Sequence, residues 1–317
     1  MYSLYSSFSH GKNVKVLIPL LLQNNASTLI YLILCILINS LIGVVFKLFS
    51  KYHIDNLQAI IINYLVCSFC GLLLLGDVNF IEAFVKQTWT PIALFLGFLF
   101  IIIFNAYALA VQESGVGVAT IFQKMSLIAP VLFAILLYGE SVTIHKIVGL
   151  ILSVFALFML SISKSEHLGD RVSSGLKILL IVFLGSCLID VLLFLTEAES
   201  LAPGADVGFV SAIFFFAMIF GILFQSIIQR KKMEFNQRSV VAGIFLGLPN
   251  FFSIYLLLKV LSLGWEGSVV FPANNVGVLS LATLFGVLLF QEKVTARKIL
   301  GFASALTAII LLSYNAS

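Results

Sequence analysis

Ten stretches of this chain are each apolar over the ~20 residues that a helix needs to cross ~30 Å of hydrocarbon. They run 29–50, 56–76, 91–112, 116–138, 147–163, 177–196, 207–228, 240–261, 268–290 and 299–314. Lipid offers no hydrogen-bond partner to the backbone, so a spanning segment must satisfy its own N–H and C=O groups, which forces helix over open sheet. The expected fold is an all-α integral membrane protein of ten transmembrane helices. Composition agrees. Of 317 residues, 61% are hydrophobic and 10% are charged, whereas soluble domains carry roughly 25% charged residues. A water-soluble fold of this length could not hide so much apolar surface.

Residues 1–28 are more polar and are expected to form a loosely structured tail; the apolar run from Val16 to Leu22 is too short to span. The longest polar linkers are 164–176 and 229–239. Ten crossings place both termini on one face. Lys164, Arg171, Arg230, Lys231, Lys232, Arg238, Lys293, Arg297 and Lys298 then lie on the other face, against fewer basic residues (Lys12, Lys15, Lys86, Lys146 and Lys259) on the terminal side. The positive-inside bias makes the terminal side external, in the plasma membrane. The formal net charge of +4 is not gathered into a basic, aromatic-interleaved patch. Arg230-Lys231-Lys232 reads as a cytoplasmic loop, and no nucleic-acid partner is expected.

A segment recurs. Residues 139–149 read GESVTIHKIVG and residues 291–301 read QEKVTARKILG, which pairs Glu140 with Glu292, Thr143 with Thr295, Lys146 with Lys298 and Gly149 with Gly301. Both copies sit between apolar spans, so the chain reads as duplicated. Thr143 and Thr295 are placed to cap the following helix. Glu140 and Glu292 are expected near that same N-terminus, where the helix dipole favours negative charge. Gly149 and Gly301 suit close helix packing in lipid. These are architectural roles. Five spans per half, 29–163 and 177–314, mean that the second half enters the membrane from the opposite side, giving two inverted five-helix repeats.

Ten spans in a five-plus-five duplication, with GE-x-x-T-x-x-K-x-x-G after the fourth span and Ile128-Ala129-Pro130 before it, resemble the EamA-type transporters of the drug/metabolite transporter superfamily. The resemblance covers residues 29–314. It implies a secondary transporter, often an exporter of amino acids or related metabolites, with a central cavity between the halves. The second copy departs from the pattern at Gln291, where the family usually has glycine, and at Ala282, the counterpart of Pro130.

Charges inside spans are expensive and normally face the bundle interior or water. Two sit deep: Lys124 in the fourth span and Asp190 in the sixth. They pair structurally with each other, or they serve substrate binding and proton coupling. Residues 29–50 contain no carboxylate, so Asp190 is the expected site of any deep proton exchange. Beside Lys124 lies Gln123, and the repeat sets Gln123 opposite Asn275, which neighbours Asn274. Pro130 and Pro272 are expected to interrupt their helices near the midplane, as in transporter sites. Asn105 and Tyr107 in the third span and Asn250 in the eighth complete the expected lining. Each amide is equally well explained as interhelical glue.

Other classes of function find little support. The four cysteines, including the pair Cys67 and Cys70, lie in apolar stretches without the partners of a zinc site, so no metal is expected. The four histidines fall in tail or loop positions, which leaves no intramembrane enzyme motif. No Walker-type loop is present, so no nucleotide cofactor is expected and a gradient must drive transport. The remaining alternative is a structural membrane subunit. The expected partners are the lipid bilayer, a small-molecule substrate and protons, and a monomer and a homodimer fit the sequence equally.

Overall fold

The computed structural model describes residues 14–52, 54–76, 84, 86–114, 116–161, 168–228 and 236–314. All regular structure among them is helical, and ten segments are long and apolar enough to cross a membrane. In chain order the spans are built on helices Val14–Lys51, Asn56–Leu75 and Thr90–Ser114, then a composite fourth span, then Ile144–Ser161, Leu168–Ala198, Val207–Leu223, Gln237–Ser262, Gly267–Phe290 and Ala296–Ser313. The fourth span consists of helix Val116–Lys124, a 3-10 turn Met125–Leu127 and helix Ile128–Tyr138. Outward-facing side chains such as Leu136, Phe245 and Leu288 are 74%, 68% and 65% exposed. A surface of that kind is stable only in lipid.

Two boundaries differ from expectation. Residues 14–28, expected as tail, are helical and run without a break into the first span. Residues 168–176 of the expected linker are the start of the sixth-span helix. No proline falls between 168 and 198 to stop it. Residues 1–13, 162–167 and the basic run at 229–235 lie outside the described residues.

Span starts at the aqueous interface are capped by short polar side chains. Asp55 accepts from the N–H groups of Leu57 (3.0 Å) and Gln58 (3.2 Å). Asp206 does the same for Gly208 (2.7 Å) and Phe209 (3.1 Å), and Asn236 for Arg238 (3.0 Å). Each cap satisfies donors that a helix start leaves open. Thr143 and Thr295 accept from the N–H of Lys146 and Lys298 respectively, both at 3.3 Å.

The glutamates of the repeated segment correct the expectation made for them. Glu140 does not cap the helix that follows it. Its Oε1 accepts from Gly267 N–H at 2.8 Å and its Oε2 from Ser268 N–H at 2.9 Å, so it caps the ninth span, in the other half of the chain. Glu292 accepts from Lys298 Nζ at 2.8 Å, within its own segment. Both glutamates follow a left-handed turn residue, Gly139 (φ 66°) and Gln291 (φ 53°), so the turn alone does not decide their different partners.

Close helix approach relies on small residues, because lipid tails remove the hydrophobic drive that joins helices in water. The second and eighth spans meet at Gly243 and Gly247. A Cβ at Gly243 would fall 2.6 Å from the carbonyl oxygen of Ala59, and one at Gly247 would fall 2.6 Å from Val66 Cβ. The fifth and tenth spans meet reciprocally: a Cβ at Gly149 would fall 2.8 Å from Leu312, and one at Gly301 would fall 2.8 Å from Leu160. Gly149 and Gly301 are separated by the same number of residues as Leu160 and Leu312, and the contact runs antiparallel. The pattern extends further. The first span packs on the eighth and ninth, and the sixth packs on the third and fourth.

Gln291 holds the turn position equivalent to Gly139, with φ 53°. A side chain in that region costs about 1–2 kcal/mol, and glycine relieves it while losing some entropy on folding. Gln291→Gly should therefore raise stability by about 1 kcal/mol, read as a higher melting temperature in detergent. Gly139→Gln should lower it by a similar amount.

Candidate functional site

The site begins with a missing N–H. Pro130 cannot donate to the carbonyl of Ser126, and its ring crowds that carbonyl. The α-helix gives way there to the 3-10 turn Met125–Leu127. Lys124 therefore ends the first half-helix, where the negative end of the helix dipole favours a cation. Its Nζ donates to Asn275 Oδ1 of the ninth span at 3.4 Å. Two residues on, the Ser126 hydroxyl donates to Asp190 Oδ2 of the sixth span at 2.6 Å. That length is typical of a charge-assisted O–H···O⁻ bond.

Lys124 and Asp190 lie within electrostatic reach of each other. Among the described residues they form no direct ion pair, and each is held by a neutral partner. Neither is fully buried. The first span adds Cys35, whose thiol is 0% exposed and points at both the Ser253 carbonyl oxygen (3.3 Å) and Asn274 Oδ1 (3.4 Å). Lys124 lies within electrostatic reach of that thiol as well. One polar cluster thus draws on the first, fourth, sixth, eighth and ninth spans.

Lys124, Asp190, Asn274 and Asn275 are brought together by the structure, and Gln123 lies next to Lys124, half-buried. Other candidates fall elsewhere. Asn250 Nδ2 donates to Asn63 Oδ1 at 3.1 Å, forming a buried pair between the eighth and second spans. The Cys67 thiol joins this pair, pointing at Asn63 Oδ1 (3.5 Å) and the Gly247 carbonyl oxygen (3.2 Å). Asn105 turns back on its own helix, donating to the Ile101 carbonyl at 2.7 Å. Tyr107 bonds to Thr120 at 2.9 Å, joining the third and fourth spans. Pro272 does not interrupt its helix. It lies in the second turn, where the carbonyl it frees belongs to Ser268, beside the N-terminus that Glu140 already caps.

Three members of the cluster were missed by sequence reasoning: Cys35, Ser126 and the Ser253 carbonyl. Ser126 carried a usable signal, since it stands four residues before Pro130 and two after Lys124. Cys35 looked like any small packing residue. Pro249, inside the eighth span and adjacent to Asn250, was passed over too.

Comparison with known proteins finds matches of three kinds. The model of the EamA-like transporter family matches residues 26–162. A Haemophilus influenzae protein described as uncharacterized is 31% identical over 288 residues, covering 89% of this chain and 97% of that protein. A solved crystal structure superposes with a TM-score of 0.75 over 92% of this chain and 98% of its own, at 13% identity, and so shares the fold.

The Asn63–Asn250 pair gives a stability test. Replacing one amide leaves the other unpaired in a dry interior, whereas replacing both removes the need for a partner. Asn63→Leu or Asn250→Leu alone should cost about 1 kcal/mol. The double variant should recover most of that loss, measured by thermal unfolding in detergent.

Proposed function

The chain belongs to the EamA-like transporter family, and from that premise we propose that it is a secondary transporter exporting a small zwitterionic or anionic metabolite, an amino acid or a close relative. That it is a multi-pass membrane protein follows from its ten spans and its family. The mechanism proposed is alternating access between inverted repeats 29–163 and 177–314, in the plasma membrane. The reciprocal Gly149–Leu312 and Gly301–Leu160 contacts support that reading, because a twofold relation between the halves generates them as a pair.

One observation carries the substrate class. A single cation and a single carboxylate converge from different halves beside a broken helix, each steadied by a neutral group rather than spent on the other. Such an arrangement is complementary to a carboxylate at Lys124 and an ammonium at Asp190. Asp190 is also the group proposed to exchange a proton with the gradient, since it is a carboxylate held within a span.

Uptake of a panel of radiolabelled amino acids into everted vesicles, the direction that corresponds to export from the cell, provides the test. Lys124→Ala should cut transport about tenfold or more, the scale of losing one charge-assisted contact. Asp190→Asn should leave substrate exchange measurable while removing its response to an imposed pH gradient. Full activity of Lys124→Ala would remove that residue from the site. Indifference to both substitutions would favour a structural membrane subunit.

A further inference from the structure

On the face that carries the C-terminus, the two halves are joined by a cluster outside the site described above. Glu140 caps the ninth span through Gly267 and Ser268. Lys146 is 1% exposed and forms an ion pair with Glu266, the residue just before that helix. The Nζ of Lys146 also donates to the Ser141 carbonyl at 2.8 Å and to the Ser268 hydroxyl at 3.2 Å. Ser141 donates to Glu266 Oε1 from its N–H at 3.3 Å and from its hydroxyl at 3.2 Å. The stacking of His145 on Tyr314 places the cluster at the C-terminal face, with ring centroids 5.2 Å apart. Each of these side-chain bonds from Glu140, Ser141 and Lys146 to Glu266, Gly267 or Ser268 crosses from the first half to the second.

The opposite face is joined differently. Ser239 Oγ accepts from the N–H of Asp55, and Gln58 Oε1 accepts from the N–H of Asn236, both at 3.2 Å, with neutral acceptors. The position related to Glu266 by the spacing that separates Glu140 from Glu292 is Ser114. With a serine there, Lys298 pairs instead with Glu292 of its own segment. Among the described residues, the ion pair at one face crosses the seam and that at the other lies within one half.

We propose that Glu140, Ser141 and Lys146, gripping Glu266, Gly267 and Ser268, form a latch that holds the C-terminal face shut, and that each transport cycle requires its release. The proposal rests on the alternating-access reading. It also gives the broken fourth span a mechanical role. The half-helix Ile128–Tyr138 is a rod of about 16 Å by its helical rise, with the Lys124–Ser126 turn at one end and Glu140 just past the other. A change in the turn at the site moves the latch residue at the face.

The test uses native Cys35, which lies in the central cluster, as a reporter in the full chain with Cys67, Cys70 and Cys187 replaced by alanine. Membrane-impermeant maleimide is applied from each side of sealed vesicles, and a C-terminal reporter fusion identifies the side. Glu140→Gln and Glu266→Gln should each raise the rate of Cys35 modification from the C-terminal side about tenfold, the scale of losing one charge-assisted bond. Lys146→Glu should do the same, and adding Glu266→Lys should restore the low rate. This charge exchange keeps the test decisive if a single variant folds poorly. Unchanged rates from that side, with Cys35 labelled normally from the other, would overturn the latch and leave alternating access standing. A Cys35 unreactive from both sides in every variant would overturn alternating access, and the latch with it.

Discussion

Hydrocarbon supplies no hydrogen-bond partner, and every polar feature of this protein is shaped by that refusal. Along a helix the backbone satisfies itself, which is why spans of almost featureless Leu, Ile, Val and Phe suffice as scaffold. Those side-chain polar groups within the spans that are satisfied either turn back on their own helix or find a partner across the bundle. Asn105 takes the first course, toward Ile101. Asn250 with Asn63, Lys124 with Asn275, and Asp190 with Ser126 take the second. The few bonds that cross between helices mark where the bundle is held in register and where it has room for chemistry.

The two halves have diverged where this matters most. Pro130 breaks the fourth span and turns Lys124 and Ser126 toward the centre, while its counterpart Ala282 leaves the ninth span an unbroken helix from Gly267 to Phe290. The ninth span contributes amides instead of charge, and the sixth supplies the carboxylate. The first half thus offers one cation and the second one anion. A strictly symmetric pair would have presented like charges to the same crevice, which low-dielectric surroundings penalise.

Much of this was legible in the sequence, for reasons that also mark where legibility ends. All ten spans could be read because hydropathy over some twenty residues is a strong signal, and the paired threonines cap as their spacing predicts. Lys124 and Asp190 stood out because charge within a span is costly wherever it points. Direction was the harder question. A helix apolar on every side has no amphipathic stripe to say which face turns inward. So Asn105 and Tyr107 looked as central as Asn274, and Cys35 looked like filler. Glu140 failed for a related reason: its distance to the next helix is short in sequence, but its carboxylate meets the start of a helix more than a hundred residues on.

Depth decides what each polar group can do. At the interface a carboxylate released from Gly267 and Ser268 meets water, so in the proposed alternating-access cycle the bonds of Glu140 and Glu266 are the ones placed to be broken and remade. Near the midplane no such exchange exists, and a charge let go by one partner must be taken by another. That difference assigns the labour. Ion pairs that cross the halves belong at the faces, where breaking them is reversible. The centre keeps one lysine and one aspartate on neutral tethers, Asn275 and Ser126, which a charged solute would displace under the proposed function without leaving either ion bare. A direct Lys124–Asp190 pair would have been the more stable core, and it would have had nothing left to bind with.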